Sequence, residues 1–209
     1  MFATIFDFVE RAEPFTEGGG IEIKLSRIAI PRSLRNLNLP NFAMAQPLLK
    51  LWKREQGELS AALQRVIVSG AVLRRIILMR QPARSSRVII DHFGPAITIM
   101  RPCEALSLVG REVNDMYDRE YGNWAIPGYM ETLRTGRLRL ESMLADIRAT
   151  DATTIRARYD RLLLPWQGKS GDKFVLCASL LRNRSVLSQA NDIGDLAQHR
   201  PGRHPTQHA

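Results

Sequence analysis

Apolar positions recur along the chain at two spacings, and the change between them divides it. Phe2, Ile5, Phe6 and Val9 stand three and four apart, the spacing of one helix face, until Pro14 and Gly18-Gly19-Gly20 end the pattern. Ile21 to Leu25 alternates like a short strand, and Pro31, Asn36, Asn38, Pro40 and Asn41 follow with loop chemistry. From Ala43 the spacing is helical. Leu48, Leu49 and Trp52 share a face, and Gln56-Gly57 is a stop signal. Leu59, Leu63, Val66, Gly70, Leu73 and Ile77 then repeat every three to four residues, which predicts an amphipathic helix over 58–79. Its last part, Leu73 to Met79, fits a strand equally, because a short apolar run carries no decisive period.

Past Pro82 the pattern becomes strand-like. Arg87 to Asp91 reads as a strand, His92-Phe93-Gly94-Pro95 as a turn and Ala96 to Met100 as a second strand. Residues 103–135 predict several short helices, broken at Gly110, Gly122, Pro127 and Gly136. Leu140 to Ala149 alternates, Thr153 to Trp166 is rich in strand formers, Gly168 to Asp172 is a turn and Phe174 to Leu181 is a further strand. From Arg182 the apolar density falls too low to offset the cost of ordering, so 183–209 is expected to be a disordered tail. The order of helices, two strands, short helices and three strands predicts an α+β fold: a five-stranded antiparallel sheet with short helices on one face, preceded by an N-terminal helical region. The expected division is a poorly defined segment 1–42, a helical flank 43–86, a domain over 87–182 and the tail.

Composition narrows this only slightly. The chain has 209 residues, 44% hydrophobic and 24% charged, which are globular values. Two cysteines, Cys103 and Cys177, exclude a disulfide scaffold or a four-cysteine zinc site. The net charge is +9, with +6 in residues 1–85, +1 in 86–181 and +2 in 182–209. Such an excess attracts nucleic acid or anionic lipid when it is clustered, but here the bases are scattered. Asp7 and Glu10 interrupt the first apolar residues, unlike a secretory signal. Arg65, Arg74 and Arg75 interrupt the most apolar stretch, so no membrane span is expected. The expected location is cytoplasmic, with both thiols reduced.

Three pieces of the chain carry a resemblance. They are Val88-Ile89-Ile90-Asp91-His92-Phe93-Gly94; Leu108-Val109-Gly110-Arg111-Glu112-Val113 with Met116-Tyr117-Asp118; and Arg156-Ala157-Arg158-Tyr159-Asp160-Arg161-Leu162-Leu163-Leu164-Pro165-Trp166. Together with the order of elements, they resemble a PAS domain over roughly 87–182, in particular the PAS-like domains of alphaproteobacterial proteins that carry little else. The resemblance implies a bacterial sensory or protein-interaction module acting in signal transduction, with room for a small ligand between sheet and helices. It brings no cofactor. The cysteine motif of the flavin-binding branch is missing, and 103–139 contains no histidine of the kind haem-binding relatives use.

The candidate site follows from the aromatic residues. Tyr117, Tyr121, Trp124 and Tyr129 form the densest aromatic group, and strand alternation places Tyr159 opposite Arg156 and Arg158. Tyr117, Trp124, Tyr129 and Tyr159 are the expected ligand-binding residues, with packing of helices on the sheet as the alternative. Arg156 and Arg158 could grip an anion, or pair with Asp146 or Asp160. His92 has no catalytic or metal-ligating partner in the pattern, and Cys177 reads as a buried apolar residue. No catalytic residue and no metal site is expected, and the protein is read as a non-enzyme. The apolar stripe on 58–79 suggests a homodimer or a signalling-protein partner. The competing reading is a basic nucleic-acid-associated regulator using residues 43–85.

Overall fold

The computed structural model of the chain describes residues 26–38, 40–60, 73–94, 97, 102–151 and 153–188. Six strands make one sheet: β1 (Arg27–Pro31), β2 (Ile76–Gln81), β3 (Ile89–Phe93), β4 (Arg139–Arg148), β5 (Thr154–Gln167) and β6 (Lys173–Ser188). Their order across the sheet is β1-β4-β5-β6-β2-β3, and every pairing is antiparallel. The fold is mixed α+β, as the pattern predicts.

Alternation along the central strands builds two cores. Met143, Ala145, Ala157, Tyr159, Leu163, Val175 and Cys177 point to one face, beneath the helix α3 (Arg119–Thr135). Leu140, Leu162, Leu164, Trp166, Leu176 and Ala178 point to the other. There they meet Leu37, Phe42, Leu48 and Leu51, from two 3-10 turns and the helix α1 (Gln46–Arg54). The run Leu162-Leu163-Leu164 is apolar without interruption because β5 is covered on both sides. Pro165 sits beyond the last β4 partner of β5, so its missing N–H removes no donor from that ladder, and its carbonyl accepts the Trp52 indole N–H at 2.6 Å.

Several elements differ from the sequence pattern. The sheet has six strands because β1 adds to the edge of β4. The apolar run from Ile76 is a strand: the 3-10 turn Leu73–Arg75 interrupts the helical repeat, and β2 lies between β6 and β3. Ile77 therefore faces the α3 side of the sheet, while Leu59 packs on the opposite core, and the two share no helix face. Leu63, Val66 and Gly70 lie outside the described residues, as do the patterns over 2–9 and 21–25 and the residues 189–209. The hairpin partner of β3 is β2. Of the stretch 96–100 only Ile97 is described, and it belongs to no strand.

The residues 103–135 are not uniformly short pieces. After α2 (Pro102–Ser107) and the 3-10 turn Val113–Asp115, α3 runs 17 residues through Gly122 and Pro127. Pro127 lies on the exposed side of the helix, as does Asn123, the residue one turn before it whose carbonyl loses its helical donor. Gly122 is small because Val113 crosses it; a Cβ there would lie 3.0 Å from the Val113 carbonyl oxygen. Asp118 caps α3 by accepting the Tyr121 N–H at 2.9 Å, and Gly136 ends it in the left-handed region at φ 63°. β6 continues to Ser188, seven residues beyond the expected strand end at Leu181, because the long β5 offers it a partner as far as Thr154.

Candidate functional site

The layer between α3 and the sheet holds a buried polar cluster. β5 supplies Tyr159 and Arg161 two residues apart, hence on one face, and β4 places Glu141 directly opposite Arg161. The Arg161 guanidinium donates through Nε to Glu141 at 2.6 Å, and both side chains are nearly sealed from solvent, at 3% and 4% exposure. Its Nη1 lies 3.4 Å from the Ala125 carbonyl oxygen of α3, and its carbon lies 4.9 Å from the centre of the Tyr129 ring. Gly128 makes this approach possible, because a Cβ there would sit 2.2 Å from Arg161 Nη2. Arg139 also donates to Glu141, at 2.7 Å, from a more exposed position.

The phenols complete the cluster. Tyr121 and Tyr159 share a hydroxyl hydrogen bond of 2.7 Å, and the Tyr121 ring lies 5.8 Å from that of Trp124. Burial raises the pKa of Tyr121, and raises those of Tyr129 and Tyr159 well above the phenol value, so all three are neutral donors at physiological pH. Burial likewise raises the Cys177 thiol, which keeps it protonated. For Glu141 burial pushes upward, but the Arg161 charge and hydrogen bond and the Arg139 hydrogen bond outweigh it, and the carboxyl ends below its ordinary value.

Of the four expected ligand-binding residues, the structure brings Tyr129 and Tyr159 into this cluster and packs the half-buried Trp124 against the same core. Tyr117 lies elsewhere, 57% exposed before the start of α3. Pattern reading missed Glu141 and Arg161. The signal was present, since an arginine two residues after Tyr159 on a strand must share its face. Arg156 takes the paired alternative and grips Asp146 through two hydrogen bonds of 2.7 and 2.8 Å. Burial pushes Asp146 upward, yet the Arg156 and Ser26 hydrogen bonds bring its pKa below normal. Arg182 pairs with Asp160, leaving Arg158 exposed. His92 sits half-buried on β3, paired across to Leu78.

A second polar group holds α3 to the sheet. Asp118 accepts both the Arg148 N–H at 2.9 Å and two bonds from Arg27 Nη2, at 3.1 and 3.2 Å, besides its capping bond. Among the described residues no group of three His, Cys, Asp or Glu could hold a metal ion. No described helix is long and apolar enough to cross a membrane. No protein-family model, no curated protein and no solved structure matches the chain.

Proposed function

We propose that the chain is a PAS-like sensory and protein-interaction module that acts in signal transduction through contacts rather than turnover. The observation that carries this reading is the path of the chain after residue 73. Two strands, a helical stretch and three strands close one antiparallel sheet, with the first strand of the pair, β2, against the last of the three, β6. The helical stretch ends in α3, laid over one sheet face, where such a module would take its ligand. The cluster of Tyr129, Tyr159 and Arg161 lies in that layer with its Tyr159 hydroxyl on Tyr121 and its guanidinium on Glu141 and the Ala125 carbonyl, so a small polar or anionic ligand would enter by exchanging for these bonds. The homodimer belongs to the same proposal.

Native mass spectrometry of freshly purified protein tests both parts. A dimer mass, or a small-molecule adduct that Tyr159→Phe weakens, supports the reading. A bare monomer that retards DNA or RNA in a gel, with retardation falling steeply as salt rises, would replace it with the nucleic-acid reading.

A further inference from the structure

Strand β1 and the start of α3 are tied through one carboxylate. The Arg32 N–H donates to the Leu140 carbonyl at 2.8 Å, and the Asp146 N–H donates to that of Ser26 at 2.9 Å. With the register between them, Ile28–Leu144 and Ile30–Ser142 are then hydrogen-bonded pairs of the same ladder. This edge of β4 continues past β1 to Arg148, whose N–H donates to the Asp118 carboxylate at 2.9 Å instead of to a strand. Asp118 therefore extends the row of acceptors that β1 begins.

The Arg27 side chain spans the junction. Its register partner is Ala145, which lies in the core beneath α3, so Arg27 stands on the helix side of the sheet. Its Nη2 reaches both Asp118 oxygens, at 3.1 and 3.2 Å, and its Nη1 reaches Glu120 in the first turn of α3 at 3.3 Å. Among the described residues it is the only cation on Asp118, whose side chain is 3% exposed. The same carboxylate holds the Tyr121 N–H, and the Asp118 carbonyl accepts the Gly122 N–H at 2.9 Å. Tyr121 in turn carries the hydroxyl bond to Tyr159. One residue of the edge strand thus neutralises the cap of the helix that covers the tyrosines. The strand itself is short, five residues, and among the described residues β4 is its single strand neighbour.

We propose that Arg27 is a latch that makes β1 and the first turn of α3 one opening unit, so that release of the edge strand lets the start of the helix lift from Tyr159. With β1 in place, Asp118 is neutralised and fixes the first turn of α3 against β4. With β1 released, Asp118 keeps only N–H donors for a buried charge, which favours its turning to water and drawing Tyr121 with it. Access to the layer beneath α3 is then controlled at the edge of the sheet. The latch uses these contacts alone; that a small molecule enters by this opening rests on the PAS-like reading, and a test without ligand separates the two.

Amide hydrogen exchange of the full chain, resolved by NMR, is that test. Ile28→Pro removes one ladder donor from β1, and its side chain stands on the face away from α3 and Asp118. It should speed exchange at Tyr121, Gly122 and Arg148 about tenfold or more, together with Ile30, and leave Leu163 and Leu176 of the central strands unchanged. Arg27→Ala should give the same pattern from the other end of the latch. Faster exchange of Ile30 alone in Ile28→Pro would overturn the proposal, because the edge strand would then open without the helix. Equal acceleration of Leu163 and Leu176 would also overturn it, because the sheet would then open as a whole and β1 with α3 would be no separate unit.

Discussion

Replacing Glu141 by glutamine tests the buried cluster most directly. The substitution keeps the shape of the side chain and one carbonyl acceptor, but it removes the only carboxylate paired with Arg161 among the described residues. Arg161 is 2% exposed, so its charge cannot turn to water, and its other neighbours are the Ala125 carbonyl and the Tyr129 ring. Removing one partner of a buried ion pair costs about 3–5 kcal/mol, mostly from the charge left behind. For a chain of this length each kcal/mol moves the melting temperature by about 2–4 °C, so a fall of roughly 6–20 °C is expected. Urea unfolding followed by circular dichroism gives the free energy, and calorimetry gives the temperature. The double variant Glu141→Leu with Arg161→Met removes both charges and should regain most of the loss. If Glu141→Gln lies within about 1 kcal/mol of the unmodified protein, Arg161 is not the sealed cation described above, and the reasoning fails.

Three further outcomes follow from the buried polar groups. Tyr159→Phe removes the hydroxyl partner of Tyr121 and should cost about 1–3 kcal/mol in urea unfolding, whereas adding Tyr121→Phe should return most of it. Gly128→Ala should destabilise despite alanine's helix advantage of about 1 kcal/mol, because the new methyl would displace Arg161 from Glu141; a raised melting temperature would contradict this. Glu141 and Asp146 both titrate lower folded than unfolded, so their stabilisation is complete above the ordinary carboxylate range of about 4 and is lost as pH falls through the folded values. Melting temperature should therefore drop steeply below about pH 4, less so in Asp146→Asn, and a flat profile from pH 5 to 2 would refute the assignment.

Where the sequence carried its own period, the elements were legible. The alternation over 140–149, the strand formers over 153–166, the turn at Gly168 to Asp172 and the apolar run from Phe174 match β4, β5, the turn and the start of β6 to within one residue at each end but the last. Legibility failed where tertiary contact overrode local chemistry. Gly122 and Pro127 read as breaks, yet α3 runs through both, one glycine admitting Val113 and the proline facing water. Ile76 to Met79 has no period because β2 is sandwiched, with Ile76 buried in one core and Ile77 and Met79 in the other. In the site, Tyr129 and Tyr159 were readable as aromatics near a sheet. Glu141 was not, because its burial depends on which residue of β5 stands across from it.

That dependence points to what the polar groups do for the sheet. Glu141 pairs with Arg161, Ser142 with Asp160 and Asp146 with Arg156, and in each case the two residues are direct cross-strand neighbours of β4 and β5. The first pair lies on the α3 face and the other two on the opposite face. Apolar alternation alone distinguishes even from odd slips of the strands but not a slip by two, which keeps every side chain on its own face. A shift of two residues would move Leu163 or Tyr159 opposite Glu141, leaving the Arg161 guanidinium buried without its carboxylate and Glu141 with only the more exposed Arg139 of its own strand. The three matched pairs penalise that error on both faces at once. Arg161 in its correct register then meets Gly128, the residue of α3 without a side chain to block it, so the pairing of two strands also sets where the helix can lie.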